Sequence, residues 1–150
     1  MKKIFFLALI VCILFSLVSC KNSPVNFHAT YSADKIDVGE TVVVSVSLSF
    51  ESYDPEIQSL AIRPVFDADR FVLVGGEMLI DADIADFSNG IGCLAFEEPW
   101  KYKLEQTVMT FELLALSKTR SLEDKITFDV SVLDSNGQDI PFDGLYFYSN

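Results

Sequence analysis

Histidine, cysteine and tryptophan are scarce in this chain, which has one His, three Cys and one Trp among 150 residues. So few His and Cys side chains exclude a zinc finger and a disulfide-rich scaffold, because both need several of them at regular spacings. Basic residues are also few, with 11 Lys and Arg against 22 Asp and Glu and a formal net charge of −11. This acidic balance argues against nucleic-acid binding, because the phosphate backbone would repel the protein.

Hydrophobic residues are abundant: they make up 50% of the chain, and 13 of its residues are phenylalanine. A disordered tail is therefore excluded, because disordered segments contain few hydrophobes. The length of 150 residues favours a single domain that can bury one substantial core.

The N-terminus has the pattern of an export signal. Two lysines precede an apolar run over residues 4–18, which is shorter than the roughly 20 residues that a transmembrane helix needs. The run ends in the sequence LVSC at residues 17–20, which resembles the lipobox of bacterial lipoproteins. The resemblance implies cleavage between Ser19 and Cys20 and a lipid on the Cys20 thiol. The alternative is an ordinary signal peptide with a chance cysteine.

This interpretation divides the chain and gives it a location. Residues 1–19 are the lipoprotein signal peptide, residues 20–25 are the lipidated cysteine with a short tether, and residues 26–150 are the folded domain. The several acyl chains of a lipoprotein would hold the protein firmly, because a single chain anchors only marginally. We expect a lipid-anchored protein on the cell membrane or outer membrane, facing outside the cytoplasm. Cys93 is then the one unmodified cysteine, and we expect it to be a small buried hydrophobe.

The folded domain has the pattern of β-strands. Residues 41–50 alternate between apolar and mostly small polar side chains, and residues 126–132 repeat the alternation. A period of two is typical of strands with one buried face. Residues 108–116 also alternate, and they favour a strand over a helix because the segment is short. Weaker strands are predicted at residues 25–31, 59–66, 70–74, 92–96 and 145–148.

Turn signals separate these strands. Glycine-containing turns are predicted at residues 37–39, 75–76, 89–90 and 136–137. Pro64 should lie at a sheet edge or a bulge, because proline cannot donate a ladder hydrogen bond. Many short strands with regular turns and no strong helix predict an all-β fold, an antiparallel β-sandwich.

The order of these segments resembles a cohesin module. The sequence GETVVV at residues 39–44 is similar to the start of the family's second strand. Residues 57–67 resemble the family's run of alternating apolar residues that ends in Tyr-Asp, although Phe66 replaces the usual Tyr. Residues 92–96 and 108–113 resemble later strands, and residues 126–137 resemble the final strand with its Asp-x-x-Gly turn.

The resemblance implies a nine-stranded jelly-roll sandwich that binds dockerin modules through one sheet face. Any Ca²⁺ would be carried by the dockerin, and no cofactor of the chain itself is implied. The family's contact residues match no motif here, so the resemblance assigns none. A related sandwich of the carbohydrate-binding-module type and a generic immunoglobulin-like sandwich are the alternative folds.

Few residues are candidates for catalysis or metal binding. His28 is the only imidazole and lies in the predicted first strand, so a triad would require distant residues to converge on it. We interpret it as an ordinary strand histidine and expect no enzyme. Asp81, Asp83 and Asp86 are oxygen ligands of the kind that calcium prefers, but they miss the EF-hand spacing. They indicate an acidic loop, with a calcium site of another type as the alternative.

Trp100 and Tyr102 are the candidate ligand-binding residues. Their spacing of two places both rings on one face of an extended segment, which suits sugar stacking or a protein contact. The alternative is that one or both rings cap the core. We therefore expect a domain that recognises a protein partner, dockerin-like or another envelope protein, through a sheet face. The alternative function is a carbohydrate-binding module that holds a polysaccharide with these two rings.

Overall fold

The computed structural model describes residues 25–49, 56–100, 105–123 and 125–149, with side chains as far as Phe142. The strands in these segments are β1 (Val25–Tyr31), β2 (Thr41–Ser49), β3 (Ile57–Phe66), β4 (Phe71–Met78), β5 (Ile84–Ser88), β6 (Ile91–Trp100), β7 (Gln106–Ala115), β8 (Ile126–Asp134) and β9 (Phe142–Ser149). Within this part of the chain there is no helix of the length and apolarity needed to cross a membrane.

The strands form two sheets. One sheet has five strands in the order β4-β7-β2-β1-β9, and the other has four strands in the order β5-β6-β3-β8. Neighbouring strands are antiparallel, with one exception: β1 and β9 pair in parallel. The predicted all-β antiparallel sandwich is confirmed, with one parallel pair at an edge of the five-stranded sheet.

Alternating side chains from both sheets build the core. Val42, Val44, Val46 and Leu48 of β2 are fully buried, as the period of two predicts. The alternation also predicts an exposed Ser47, and this is wrong: Ser47 is buried. A β-bulge shifts the β2–β7 register at this point, and the Ser47 hydroxyl lies 3.0 Å from that of Thr107. The two hydroxyls satisfy each other, which lowers the cost of burial.

Three of the four predicted turns are confirmed. The hairpin between β5 and β6 turns at Asn89 and Gly90, whose φ angles of 51° and 75° are those of the left-handed region that a type I′ turn needs. Turns also occur around Gly39 and Gly137. The turn predicted at residues 75–76 is wrong, because both glycines lie within β4, where the ladder to β7 shifts register.

Three further expectations need correction. Asp86, expected to lie in an acidic loop with Asp81 and Asp83, belongs to the edge strand β5. Residues 126–132 are not the final strand, because β9 follows β8. Pro64 lies in an inner strand, but β3 pairs with β6 only as far as Ile62. Pro64 therefore has an unpaired side where its missing N–H costs no ladder bond.

Candidate functional site

The outer face of the four-stranded sheet is the candidate functional site, and we call it the β5-β6-β3-β8 face. Inward side chains such as Leu60, Leu94 and Val132 are buried, so the alternate residues point outward. The outward residues are Ile84, Asp86 and Ser88 of β5, Ile91, Cys93 and Ala95 of β6, Ser59, Ala61, Arg63 and Val65 of β3, and Thr127, Asp129, Ser131 and Leu133 of β8.

One row of side chains crosses this face from edge to edge. Asp86 is paired with Cys93, Cys93 with Ala61, and Ala61 with Ser131. Three of these four side chains are small, so the surface is recessed in the middle of the face. A shallow depression of about 250 Å³ lies there, lined in part by Ala61, Ile91 and Ser131.

An ion pair lines part of the depression. The Arg63 guanidinium donates hydrogen bonds to Asp129 on the neighbouring strand, the one from Nε measuring 3.1 Å. Both side chains are more than half exposed, at 57% and 60%. Such exposed pairs contribute about 0–1 kcal/mol, so the contact fixes the positions of the two charges more than it stabilises the fold. The two residues are distant in sequence, and the strand parity of each is the only signal that could place them on one face.

Cys93 is the free thiol of this face. The expectation of a buried cysteine is wrong, since Cys93 is half-buried and points outward. The inward positions of β6 on either side are taken by Gly92 and Leu94, which are buried. Cys93 therefore borders the outer surface rather than the core.

His28 lies on the other sheet, on the outer side of β1. Its Nε2 atom is 2.6 Å from Oε1 of Glu105, and its side chain is 12% exposed. Its neighbour across the ladder in β2 is Ser47, whose hydroxyl is hydrogen-bonded to Thr107. The described residues thus bring the carboxylate of Glu105 to the histidine.

The three aspartates of the acidic segment do not converge. Asp83 accepts a hydrogen bond of 2.6 Å from the backbone N–H of Glu97, whereas Asp86 accepts one of 2.6 Å from the Ser88 hydroxyl. Across the described part of the chain, no three His, Cys, Asp or Glu side chains are grouped so that they could hold a metal ion. Asp81, Asp83 and Asp86 therefore do not form a calcium cluster.

Trp100 ends β6 and packs on the core. Its ring stacks on Phe96 with a centroid distance of 5.5 Å and an interplanar angle of 16°. Phe96 is buried, so one face of the indole caps the core, which is the alternative left open by the sequence. Tyr102, Ser19 and Cys20 lie outside the described residues. The shared face of Trp100 and Tyr102 and the lipidation of Cys20 therefore stay predictions.

Cohesins are among the solved structures similar to this sandwich. A chain of a type I cohesin–dockerin complex from Clostridium thermocellum matches with a TM-score of 0.56 and 14% identity, over 86% of this chain and 96% of that one. The sixth cohesin of scaffoldin B from Acetivibrio cellulolyticus, solved with a Cel5 dockerin, matches with a TM-score of 0.53 and 14% identity, over 83% and 99%. A non-cellulosomal cohesin from the archaeon Archaeoglobus fulgidus gives 0.55 and 7%, over 83% and 89%.

Sequence comparisons add no closer relationship. No family model matches the chain, and no curated protein matches it. At the identities of the solved structures the likeness concerns the fold, which is that of a cohesin-like β-sandwich.

Proposed function

We propose that this protein is a lipid-anchored, non-catalytic module of the cell envelope that binds a protein partner through the β5-β6-β3-β8 face. The observation that carries the proposal is the row Asp86, Cys93, Ala61 and Ser131, which crosses all four strands with small side chains at its centre. A partner can approach the backbone closely there, and the Arg63–Asp129 ion pair beside the row offers charges with which it can pair.

The fold supports a protein as the partner. Two of the similar structures are complexes of a cohesin with a dockerin, so a dockerin-like module is the first partner to test. The depression on the face, about 250 Å³, is smaller than the roughly 300–1,000 Å³ of most small-molecule pockets. A broad, shallow surface of this kind fits a folded partner better than a small ligand.

The carbohydrate-binding alternative depends on Trp100 and Tyr102. One face of the Trp100 ring is occupied by Phe96, which leaves at most the other face for a sugar. A glycan array with the full chain tests this alternative directly. Sugar binding that is lost in Trp100→Ala but kept in Ala61→Arg would replace the proposed function.

Binding through the face can be tested with a panel of dockerin modules and the full-length chain in detergent. The substitution Ala61→Arg puts a long charged side chain at the centre of the face, and we expect it to weaken binding at least about 100-fold because it blocks close approach. Val43→Arg is the matched control, since Val43 points outward from the opposite sheet and is 36% exposed. If binding survived Ala61→Arg and failed in Val43→Arg, the binding surface would lie on the five-stranded sheet, and the proposal would be contradicted.

A chemical footprint gives a second readout. A bound partner should cover the Cys93 thiol and slow its labelling by a maleimide, measured by peptide mass spectrometry. The anchor is tested separately by metabolic labelling with a fatty acid. We expect the label to be lost in Cys20→Ser and kept in Cys93→Ser. A label retained in Cys20→Ser would contradict the lipid anchor, but it would not bear on the proposed binding face.

A further inference from the structure

A two-residue bridge joins the loop after β1 to the loop after β7, at the end of the sandwich opposite the start of β1. The Ile36 N–H donates to the Thr119 carbonyl at 3.0 Å, and the Thr119 N–H donates to the Ile36 carbonyl at 2.9 Å. Both side chains are 3% exposed. Because side chains alternate along extended backbone, the residues on either side of the bridge point outward.

The outward residues on the two sides of the bridge differ in character. Asp37 is opposite Lys118, and their Oδ1 and Nζ atoms are 2.5 Å apart. This hydrogen bond, together with the charge of Asp37, raises the pKa of Lys118. On the other side of the bridge lie Lys35 and Arg120, two exposed cations that line the same depressions.

The two cations have no ion-pair partner among the described residues, although the chain has twice as many acidic as basic side chains. Both border two adjoining depressions, of about 330 Å³ and about 270 Å³. Asp34 and Glu123 line the second depression without forming an ion pair with Lys35 or Arg120. Two cations without an ion-pair partner among the described residues thus lie where the two concave surfaces adjoin.

We propose that Lys35 and Arg120 form a binding site for a carboxylate on an acidic segment of a protein partner. A guanidinium binds a carboxylate through two parallel N–H···O bonds, and the adjacent ammonium adds a third. This site lies at the end of the sandwich, away from the β5-β6-β3-β8 face, and it does not depend on the function proposed for that face.

Two features of the lining favour an acidic protein segment over other anions. Tyr31 is the aromatic residue of the lining, and at 3% exposure it offers no ring face on which an acidic sugar could stack. Asp34 and Glu123 border the site, so the second negative charge of a phosphate would be repelled, whereas a peptide can direct backbone N–H groups at them. The site therefore suits a singly charged carboxylate beside hydrogen-bond donors.

The test is a titration of the isotope-labelled full chain in detergent with a Glu-Asp hexapeptide, followed through the backbone amide shifts of Ile36 and Thr119. The control peptide has Gln and Asn at the same positions, and two further titrations use glucuronate and inorganic phosphate. We expect saturable shifts with the acidic peptide alone. Equal shifts with the amide peptide, or tighter binding of glucuronate or phosphate, would overturn the proposal.

Variants separate this site from the general charge of the protein. We expect Arg120→Gln to weaken peptide binding about tenfold or more, since charge-assisted hydrogen bonds are each worth more than about 1.4 kcal/mol, and Lys125→Gln to leave it unchanged. Lys35→Glu should abolish binding, because it puts an anion in place of one of the two cations. Undiminished binding in Arg120→Gln would contradict the assignment.

Discussion

The ring of Phe87 on β5 fills the space beside Gly76 on β4. A Cβ atom at Gly76 would lie 2.6 Å from the Phe87 ring, which is closer than carbon atoms approach in proteins. The two strands belong to different sheets, so this contact closes the sandwich along the side where β4 and β5 are the edges. Gly75, the preceding residue, has no heavy atom within 4 Å of the corresponding position.

This contact predicts different outcomes for the two neighbouring glycines. Gly76→Ala should lower the free energy of unfolding by about 1–3 kcal/mol, because the added methyl group overpacks the seam between the sheets. Gly75→Ala should change it by less than about 1 kcal/mol, since the methyl group meets open space. Denaturant unfolding of both variants measures the difference. Equal losses would show that strand conformation, and not the Phe87 ring, requires glycine here.

Trp100 should behave as a core-capping residue. Replacing it by alanine removes the stack on Phe96, and we expect a loss of about 1–3 kcal/mol, less than the 3–5 kcal/mol of a fully buried ring. Trp100→Phe keeps an aromatic stack and should retain most of the stability. Chemical denaturation followed by circular dichroism checks both variants. Unchanged stability in Trp100→Ala would mean that the ring is free for a ligand.

The turn after β8 should make stability sensitive to acid. Oδ1 of Asp134 accepts hydrogen bonds from the backbone N–H groups of Gln138 and Asn136, at 2.9 and 2.8 Å. These bonds, the one from Gln138 first, hold the pKa of Asp134 below its ordinary 3.8. The folded carboxyl therefore binds its proton more weakly than the unfolded one, and its stabilising effect is present above pH 3.8 and lost as the pH falls through the folded pKa.

The measurement compares the original chain with Asp134→Asn. We expect the original chain to be the more stable at neutral pH and the difference in denaturant midpoint to shrink on acidification. Ser135→Ala, in the same turn, serves as a control for loop damage. A difference that stays constant down to the acid limit would contradict the role of the carboxylate.

Tyr31 should have the opposite effect, at alkaline pH. Its burial, with the nearby charge of Glu123 as the second cause, raises the pKa of the phenol above its ordinary value of 10.0. The folded state then holds the proton more tightly than the unfolded state, so stability is complete below pH 10 and is lost as the pH rises above it. Thermal unfolding should show a smaller alkaline decline in Tyr31→Phe. Identical declines would mean that other groups cause the effect.

The fold was predictable where a strand buries one face. β2, β7 and β8 alternate because their inward residues join the core, and the same constraint shaped their sequences. β5 has no such pattern, since it is an edge strand with four of its five residues exposed. The pair Gly75 and Gly76 was misleading, because the reason for the glycine is a ring on another strand, which no local pattern contains.

The candidate sites could be predicted less well from the sequence than the fold. The row through Cys93 and Ala61 exists only because four strands adopt one register, and register depends on packing of the whole sheet. The placing of Lys35 and Arg120 on the same depressions likewise depends on a bridge between two loops that are far apart in the chain. Sequence spacing indicated Trp100 as a ligand-binding residue, but a spacing of two cannot distinguish a ring that meets solvent from one that meets Phe96.

The parallel pairing of β1 with β9 has a mechanical consequence. Val25 lies beside Phe142, and Tyr31 lies beside Ser149. The start of β1 and the end of β9 are therefore at opposite ends of the sheet, about 20 Å apart at 3.3 Å per residue. Force applied between Val25 and Ser149 would shear the whole ladder at once instead of unzipping its bonds one after another. A load applied between these two ends would therefore meet a high resistance to rupture from this geometry alone.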